Sequence, residues 1–340
     1  MLGVKELALA AGVSGREAEV RKVILSRLKE LGVTIITDAM GNVIASKGTG
    51  STRVLLAAHM DEVGLMVAGI DKDGLIHFKK VGGIDDRVLL SKAVLIGEDK
   101  VPGVIGSKPV HRQDPSERQS VIAADQLYID IGASSREEAT RWVRPGDPVV
   151  FLSDYAEENG IVRSKALDDR LGCAILLKIL ESEYRLELNV AFTVQEEVGL
   201  RGAKVAAYRV NPHLAVVVEG TLCSDLPEIP EHAWVTRLGF GPALSVMDAA
   251  SLPNRAMLNS LQETAEELRI QYQLRETTAG ANDAGAIHLS RGGVPTASVS
   301  VPCRYLHSPC SLASLQDAER AFMLVDGFLR KVERGLAPWA

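Results

Sequence analysis

Leu188-Asn189-Val190-Ala191-Phe192-Thr193-Val194-Gln195-Glu196-Glu197-Val198-Gly199 is the stretch on which the fold turns. Its first seven residues are largely apolar and β-branched, and the run is short and bounded by polar residues. That predicts a buried strand, and Gly199 lets the chain turn just after it. Glu196 and Glu197 then stand at a strand's carboxyl end. In open α/β sheets this edge is where ligands bind, and neighbouring side chains there point in different directions. One acid can face a metal while the other faces a water. Alone, a Glu-Glu pair reads as a solvated acidic turn, because glutamate is rarely buried. Its company elsewhere in the chain argues otherwise.

The 340 residues are enough for one large domain or two smaller ones with ample core. Apolar residues make up 46% and charged residues 24%, the balance of a soluble globular protein. The net charge of -6 is spread without long runs, so no nucleic-acid partner is expected. Lys5, Glu6, Arg16 and Glu17 interrupt the apolar residues at the start, and no later run approaches the roughly 20 residues of a membrane span. A cytoplasmic protein with no membrane partner is the expectation. The four cysteines (Cys173, Cys223, Cys303, Cys310) form no CxxC pair and read as reduced thiols.

From Val4 to Leu31 the apolar spacing predicts two helices, with Ser14 and Glu17 as a capping box and Gly32 as the stop. Val33 to Thr37, Asn42 to Ala45 and Arg53 to Ala58 read as strands, the third apolar enough to be buried on both faces. It delivers His59 and Asp61 at its carboxyl end. Between Gly64 and Glu157 short strands alternate with Gly and Pro turns, and the one helical stretch is Ser134 to Trp142, which predicts a β-rich inserted domain. Ser107 to Gln119, polar and broken by proline, reads as a mobile loop within it. The expected division is 1–63 and 158–340 for an α/β/α domain around a central mixed sheet, with 64–157 inserted.

The α/β pattern resumes at Lys165-Ala166-Leu167-Asp168-Asp169-Arg170, ahead of a helix from Leu171 to Leu180. Asp168 and Asp169 also suit a helix cap and a first-turn acid. A helix follows at Ala203 to Tyr208, then a strand from Pro212 to Val218 that ends in Glu219. Leu252 to Leu268 reads as a helix, Gln271 to Glu276 as a strand, and Ala284 to Arg291 as a helix opened by the Thr278 to Asp283 loop. Pro295 to Val301 is the last strand, leading to Arg304-Tyr305-Leu306-His307-Ser308-Pro309, and Leu315 to Leu336 is the closing helix.

Strand ends and helix starts thus carry His59 with Asp61, Asp168, Glu196 with Glu197, Glu219, and His307. Two imidazoles and several carboxylates suit zinc, cobalt or manganese rather than calcium or iron-sulfur chemistry. The inventory also fits two metals about 3.5 to 4 Å apart, which need a bridging carboxylate, terminal ligands and one free acid near the water. His77, His111, His213, His232 and His288 lack such placement. Cys303 and Cys310 flank His307, but a carboxylate-rich site needs no thiolate.

Ala57-Ala58-His59-Met60-Asp61-Glu62-Val63-Gly64, Ala166-Leu167-Asp168-Asp169-Arg170, Val194-Gln195-Glu196-Glu197-Val198-Gly199 and Arg304-Tyr305-Leu306-His307-Ser308-Pro309, in this order, resemble the M42 metallo-aminopeptidases. These are the tetrahedral, self-compartmentalising enzymes, some of which carry a historical cellulase or endoglucanase label. The resemblance covers nearly the whole chain. It implies a PDZ-like dimerisation domain inserted in the catalytic domain, two divalent metals (zinc or cobalt, with manganese open), and a homo-oligomer, a dodecamer built from dimers. Carried over by motif, His59 and Glu219 hold one metal, Glu197 and His307 the other, and Asp168 bridges them. Glu196 is the general base, and Asp61 lies behind His59 to fix its tautomer. The resemblance further implies a cis peptide bond between Asp168 and Asp169. Glu219 stands where many members have Asp, and Cys310-Ser311 stand where relatives often carry an acid.

The reaction so implied is removal of the N-terminal residue from short peptides. One rival is a glycoside hydrolase with Glu196 in an acid pair, which leaves the histidines unexplained; at 4% aromatics with three tryptophans, sugar-stacking platforms are scarce. A second is a non-catalytic, degenerate peptidase, against which the intact ligand set argues. The first-residue pocket is expected from Thr278 to Asp283 and residues near Leu238 to Asp248, and the sequence leaves its preference open between acidic, basic and neutral side chains.

Overall fold

In the computed structural model, which describes residues 2–275 and 277–335, two short helices open the chain, α1 (Val4–Leu9) and α2 (Ala18–Leu28). Three strands follow, β1 (Thr34–Thr37), β2 (Val43–Lys47) and β3 (Arg53–His59). The capping box expected at Ser14 and Glu17 does not form: α2 has no side-chain cap, and Ser14 Oγ donates to Asp61 Oδ2 at 2.7 Å instead. A buried carboxylate is a stronger acceptor for the hydroxyl than anything the helix start offers.

The next six strands, β4 (Gly64–Ile70), β5 (Ile76–Val81), β6 (Ala93–Ile96), β7 (Val101–Gly106), β8 (Tyr128–Asp130) and β9 (Pro148–Phe151), close into a barrel in the order β4-β5-β8-β7-β6-β9. Leu65, Val67, Ile76, Phe78, Ile105 and Ile129 fill it, so the barrel has a core of its own. The helical stretch within it is a single turn, α3 (Arg136–Ala139), whose start is capped by Ser135. Residues 107–119 form a connection with two short 3-10 turns, Val110–Arg112 and Glu117–Gln119.

The chain then completes the large sheet. β10 (Ala156–Glu158) and β11 (Ile161–Ser164) are followed by α4 (Leu167–Ile179), β12 (Glu187–Thr193), α5 (Arg201–Val210) and β13 (Leu214–Cys223). After these come β14 (Ala243–Ser245), α6 (Arg255–Glu267), β15 (Gln273–Arg275), α7 (Ala284–Ile287), β16 (Thr296–Arg304), β17 (Ser311–Ser314) and α8 (Leu315–Glu333). The sheet order is β1-β2-β12-β3-β13-β16-β17-β11-β10, with β14 and β15 joined at β16. The four central strands β12, β3, β13 and β16 are mutually parallel, and their outer neighbours are antiparallel. The sheet is therefore mixed, as expected, and its central carboxyl ends share one edge.

Period-two alternation places helices on both faces. Along β3, Val54, Leu56 and Ala58 pack into the layer that holds Leu171 and Ile175 of α4 and Leu324 and Phe328 of α8. Leu55 and Ala57 face the other way, onto Ala203, Ala206 and Ala207 of α5 and Ile287 of α7. Each fully buried Val, Leu or Ile contributes about 1.5–3 kcal/mol, which holds the central strands rigid beneath their carboxyl ends.

Three expectations are corrected. β13 does not end at Glu219 but continues to Cys223, because its parallel ladder with β16 runs as far as the Cys223–Arg304 pair. The polar and glycine residues past Val218 hid this, since a backbone ladder needs no apolar side chains. β16 is not the last strand: β17, short and half polar, pairs with β11 and β16 and is specified by those neighbours rather than by its own pattern. The helix expected at 284–291 ends at Ile287, ahead of the Gly292-Gly293 turn. Glu276 and Leu336, the predicted ends of a strand and of the last helix, lie outside the described residues.

Candidate metal centre

β3 and β12 run in register, with Thr193 paired to His59, so His59 and the Gln195–Glu197 turn emerge side by side. Glu219 lies on β13 opposite Ser300 of β16, and β16 leads into the connection that carries His307. The fifth contributor is the start of α4. Asp168 and Asp169 have non-helical dihedrals there, and the peptide bond between them is cis. The two acids divide the work that either could have done. Asp169 acts as a cap, its Oδ1 accepting from Gly172 N at 3.0 Å, while Oδ2 accepts from His59 N at 3.1 Å. Asp168 is left to face the site. Gly220 makes room for it, since a Cβ there would lie 2.9 Å from Asp168 Oδ1.

The two oxygens of Asp168 address different imidazoles: Oδ1 is 3.3 Å from His59 Nε2, and Oδ2 is 3.7 Å from His307 Nε2. Glu197 Oε1 is 3.2 Å from the same His307 nitrogen. Each ring engages a main-chain carbonyl through Nδ1, His59 that of Asp61 at 3.0 Å and His307 that of Gly83 at 2.9 Å. A carbonyl only accepts, so both Nδ1 atoms carry the proton and both Nε2 atoms point at carboxylate oxygens. A neutral Nε2 facing a carboxylate is lone pair against lone pair, a contact that requires a proton or a cation between them. Ligand atoms of Asp168, Glu197 and His307 lie within 4.8 Å of one another, as do those of His59, Glu196 and Glu197.

The charges give the same indication. Burial pushes the carboxyl groups of Glu196 and Glu219 well above the usual range, only partly opposed by His59. Glu197 is also raised by burial, against the pull of His307. Burial works the same way on Asp168, but the two imidazoles outweigh it and hold that carboxyl low. His307 is pushed up to about 11: burial opposes the proton, and the contacts with Asp168 and Glu197 overcome it. Four carboxylates thus surround two imidazoles in a poorly hydrated space, an anionic excess that only protons or cations can offset. Mixed oxygen and imidazole donors in this number suit zinc, cobalt or manganese, so the residues present fit a divalent centre.

Asp61 does more than lie behind His59. Its Oδ1 is 3.6 Å from His59 Nδ1, but its main service is as an acceptor for the amides of Glu196 and Glu197, at 3.0 and 3.1 Å. Glu219 Oε1 is held by Asn282 Nδ2 at 2.7 Å and Ser300 Oγ at 3.2 Å, and Glu219 belongs to neither group of clustered ligand atoms. Beside the centre opens a cavity of about 350 Å³, lined by Glu196, Glu219, Asp248, Arg275 and residues 279–282. Part of the loop expected to form a pocket is therefore there. Asn282 and Asp283 fall within that expected loop, whereas Arg275 escaped the sequence reading, because nothing marks one arginine of a predicted strand as facing a cavity. Asp283 is buried with Oδ1 unpartnered, its carboxyl raised by burial to about 6, and its Oδ2 takes the Thr193 hydroxyl. His77, His111, His213, His232 and His288 lie outside both ligand groups, as do Cys303, in the core, and Cys310, beside Arg163.

Residues 41–324 match the M42 glutamyl aminopeptidase family. A TET aminopeptidase from the marine sediment archaeon Thaumarchaeota archaeon SCGC AB-539-E09 is 36% identical, with 97% of this chain and 95% of that one covered and a TM-score of 0.94. The Pyrococcus horikoshii TET1 peptidase, which can assemble into a tetrahedron or a large octahedral shell, is also 36% identical, with coverage of 96% and 98% and a TM-score of 0.86. The glutamyl aminopeptidase of Lactococcus lactis subsp. cremoris is 33% identical over 343 residues, 97% of this chain and 94% of that protein. With sequence, fold and the convergence of its acids and histidines all in agreement, the chain belongs to the M42 aminopeptidase family.

Proposed function

We propose that this chain is a dinuclear, metal-dependent aminopeptidase that removes the N-terminal residue of short peptides, with Glu196 as general base. The observation that most supports it is Asp168, one carboxylate turning an oxygen to each of two imidazoles whose Nδ1 protons are already committed. On this reading two cations would be held, one by His59 and Glu219 and the other by Glu197 and His307, with Asp168 contributing to both. Asp61 belongs to the catalytic apparatus on the same reading, a role supported by its hold on the turn that carries Glu196. The chemistry that bound zinc, cobalt or manganese supplies is Lewis acidity, which brings the pKa of water toward neutrality and draws electron density from a carbonyl oxygen.

Glu196 takes a proton from the attacking water and returns it to the leaving amine as the peptide bond breaks. Its burial favours this role, because a carboxyl raised above its ordinary range is a better base once ionised. The substrate's free ammonium is met by the acids around the cavity, and the first side chain enters the 350 Å³ space beside them. The tetrahedron-forming relative supports a homo-oligomer, read here as a dodecamer built from dimers with the inserted region 64–157 as the dimerising part. No helix among the described residues is long and apolar enough to cross a membrane, and the protein is read as cytoplasmic.

The deciding experiment is a panel of aminoacyl anilides assayed after chelation and after restoring zinc, cobalt or manganese, with bound metal counted. Activity that vanishes on chelation and returns with about two ions per subunit is expected. Anilide hydrolysis unaffected by complete metal removal, or glucan hydrolysis that survives it, would sink the reading.

A further inference from the structure

The turn that carries Glu196 and Glu197 is held by its backbone, and the groups that hold it come partly from the N-terminal segment, ahead of the family match at residue 41. Three consecutive amides are involved. Gln195 N donates to Glu17 Oε1 at 3.3 Å, Glu196 N to Asp61 Oδ1 at 3.0 Å, and Glu197 N to Asp61 Oδ2 at 3.1 Å. Ser14 Oγ donates to the same Asp61 Oδ2 at 2.7 Å. Glu17 and Asp61 are buried, and Gln195 has the left-handed φ of 55° that directs the three amides toward them.

The segment is itself fixed. Gly12 N donates to Glu62 Oε1 at 3.0 Å and Gly12 O accepts from Glu62 N at 2.9 Å, so the chain beside Asp61 and the chain before Ser14 are tied together. Glu62 is clamped in turn by Lys165 Nζ at 2.7 Å and Arg170 at 3.3 Å, all three side chains buried. Glu17 has no cationic partner within 4 Å among the described residues, and its burial close to Asp61 sets two like charges against each other. Glu17 Oε1 also accepts from Gly15 N at 2.5 Å, so the carboxylate is held by main-chain amides and offers the Gln195 amide an acceptor oxygen rather than a charge.

We infer that Glu17 and Ser14 are positioning residues of the reaction: Glu17 directly, and Ser14 through Asp61, they seat the Gln195–Glu197 turn so that Glu196 meets its water and Glu197 its cation. The inference rests on the proposed function for its consequence but not for its contact geometry, so the test has two readouts. The variants are Glu17→Ala, Glu17→Gln, Ser14→Ala and Ser14→Thr in the full chain.

Hydrogen exchange, measured without added metal, should show the amides of residues 195–197 exchanging about tenfold faster in E17A and severalfold faster in S14A, with β12 itself unchanged. In zinc-loaded protein, E17A should lower kcat on an aminoacyl anilide by about ten- to thirtyfold, within the hundredfold that a misplacement of about 1 Å causes. KM should stay within about twofold and bound zinc should be unchanged, since the variant alters the base's seat rather than substrate binding. E17Q keeps an acceptor oxygen and should recover most of the loss, as should S14T relative to S14A. Unchanged exchange at 195–197 in both alanine variants would overturn the inference, as would a wild-type kcat in E17A or a kcat loss that merely tracks lost zinc. If E17A does not fold, S14A and S14T decide by the same criteria. A wild-type protein with no metal-dependent hydrolysis would defeat the proposed function and leave the exchange result to judge these two residues.

Discussion

His59 closes a strand paired on both sides and is almost wholly buried, whereas His307 sits on an irregular connection between β16 and β17 with 38% of its side chain exposed and a left-handed φ of 55°. Both rings nevertheless commit Nδ1 to a main-chain carbonyl and turn Nε2 toward Asp168. For His59 that carbonyl belongs to Asp61, two residues on; for His307 it belongs to Gly83, just beyond the barrel strand β5. One half of the centre is thus rigid because the sheet is rigid. The other depends on a contact between the inserted barrel region and a loop, and the barrel is thereby part of the site.

The largest effect tests what the halves share. Glu196→Gln leaves both imidazoles in place, and we expect kcat to fall by about a thousandfold, inside the range for loss of a general base, with bound metal unchanged. Anilide kinetics beside metal analysis will show whether the base has been correctly separated from the ligands.

Next come His59→Ala and His307→Ala. Each should weaken metal binding by more than the 10–100-fold that loss of an outer partner causes. Only His59→Ala should also lower the melting temperature of the metal-free protein clearly, because only that ring is packed in the core. Equal losses of stability would erase the distinction between the halves. Calorimetric melting of both stripped variants is the measurement.

Stripping the metals from the unaltered chain should cost about 2.7 kcal/mol of stability for each ion lost, relative to protein kept at a free-ion concentration 100 times Kd. Hydrogen exchange should then quicken more across residues 305–310 than at the end of β3. The reverse order would show that the sheet half is the one the ions hold together.

The smallest effect concerns the barrel's contribution. Gly82 has a φ of 82°, and a Cβ there would lie 2.8 Å from Val63 Cγ1, so Gly82→Ala must shift the chain that presents the Gly83 carbonyl. Zinc affinity should fall by about tenfold with kcat on saturated enzyme little changed, as measured by competition with a chelating dye.

Much of the site was legible because parallel strands announce their carboxyl ends. Apolar runs placed His59 and Glu196 at strand ends, as β3 and β12 show, and the helix expected from Leu171 marked the acidic pair just ahead of it, although α4 itself begins at Leu167. The choice of Asp168 over Asp169 came from the family resemblance and not from spacing: the two are equally good caps on paper, and the physical reason for the choice is the turn into α4 and the bare Gly220 opposite. Ser14 was read as a cap because the serine-to-glutamate spacing is local, while its actual acceptor is 47 residues away. β17 escaped because Ser311-Leu312-Ala313-Ser314 has no period of its own and is a strand only by virtue of its neighbours.

Sequence alone determined the α/β architecture with its inserted β-rich region and the motifs that mark the family, since these follow from side-chain periodicity and from short runs of residues read in order. Tertiary structure decided the tautomers of both histidines, the division of labour between Asp168 and Asp169, and the bracing of the Glu196 turn by Glu17. Those outcomes are hydrogen bonds between groups as far as 224 residues apart. Periodicity reports which face of an element a residue occupies and carries no information about which distant donor will reach it.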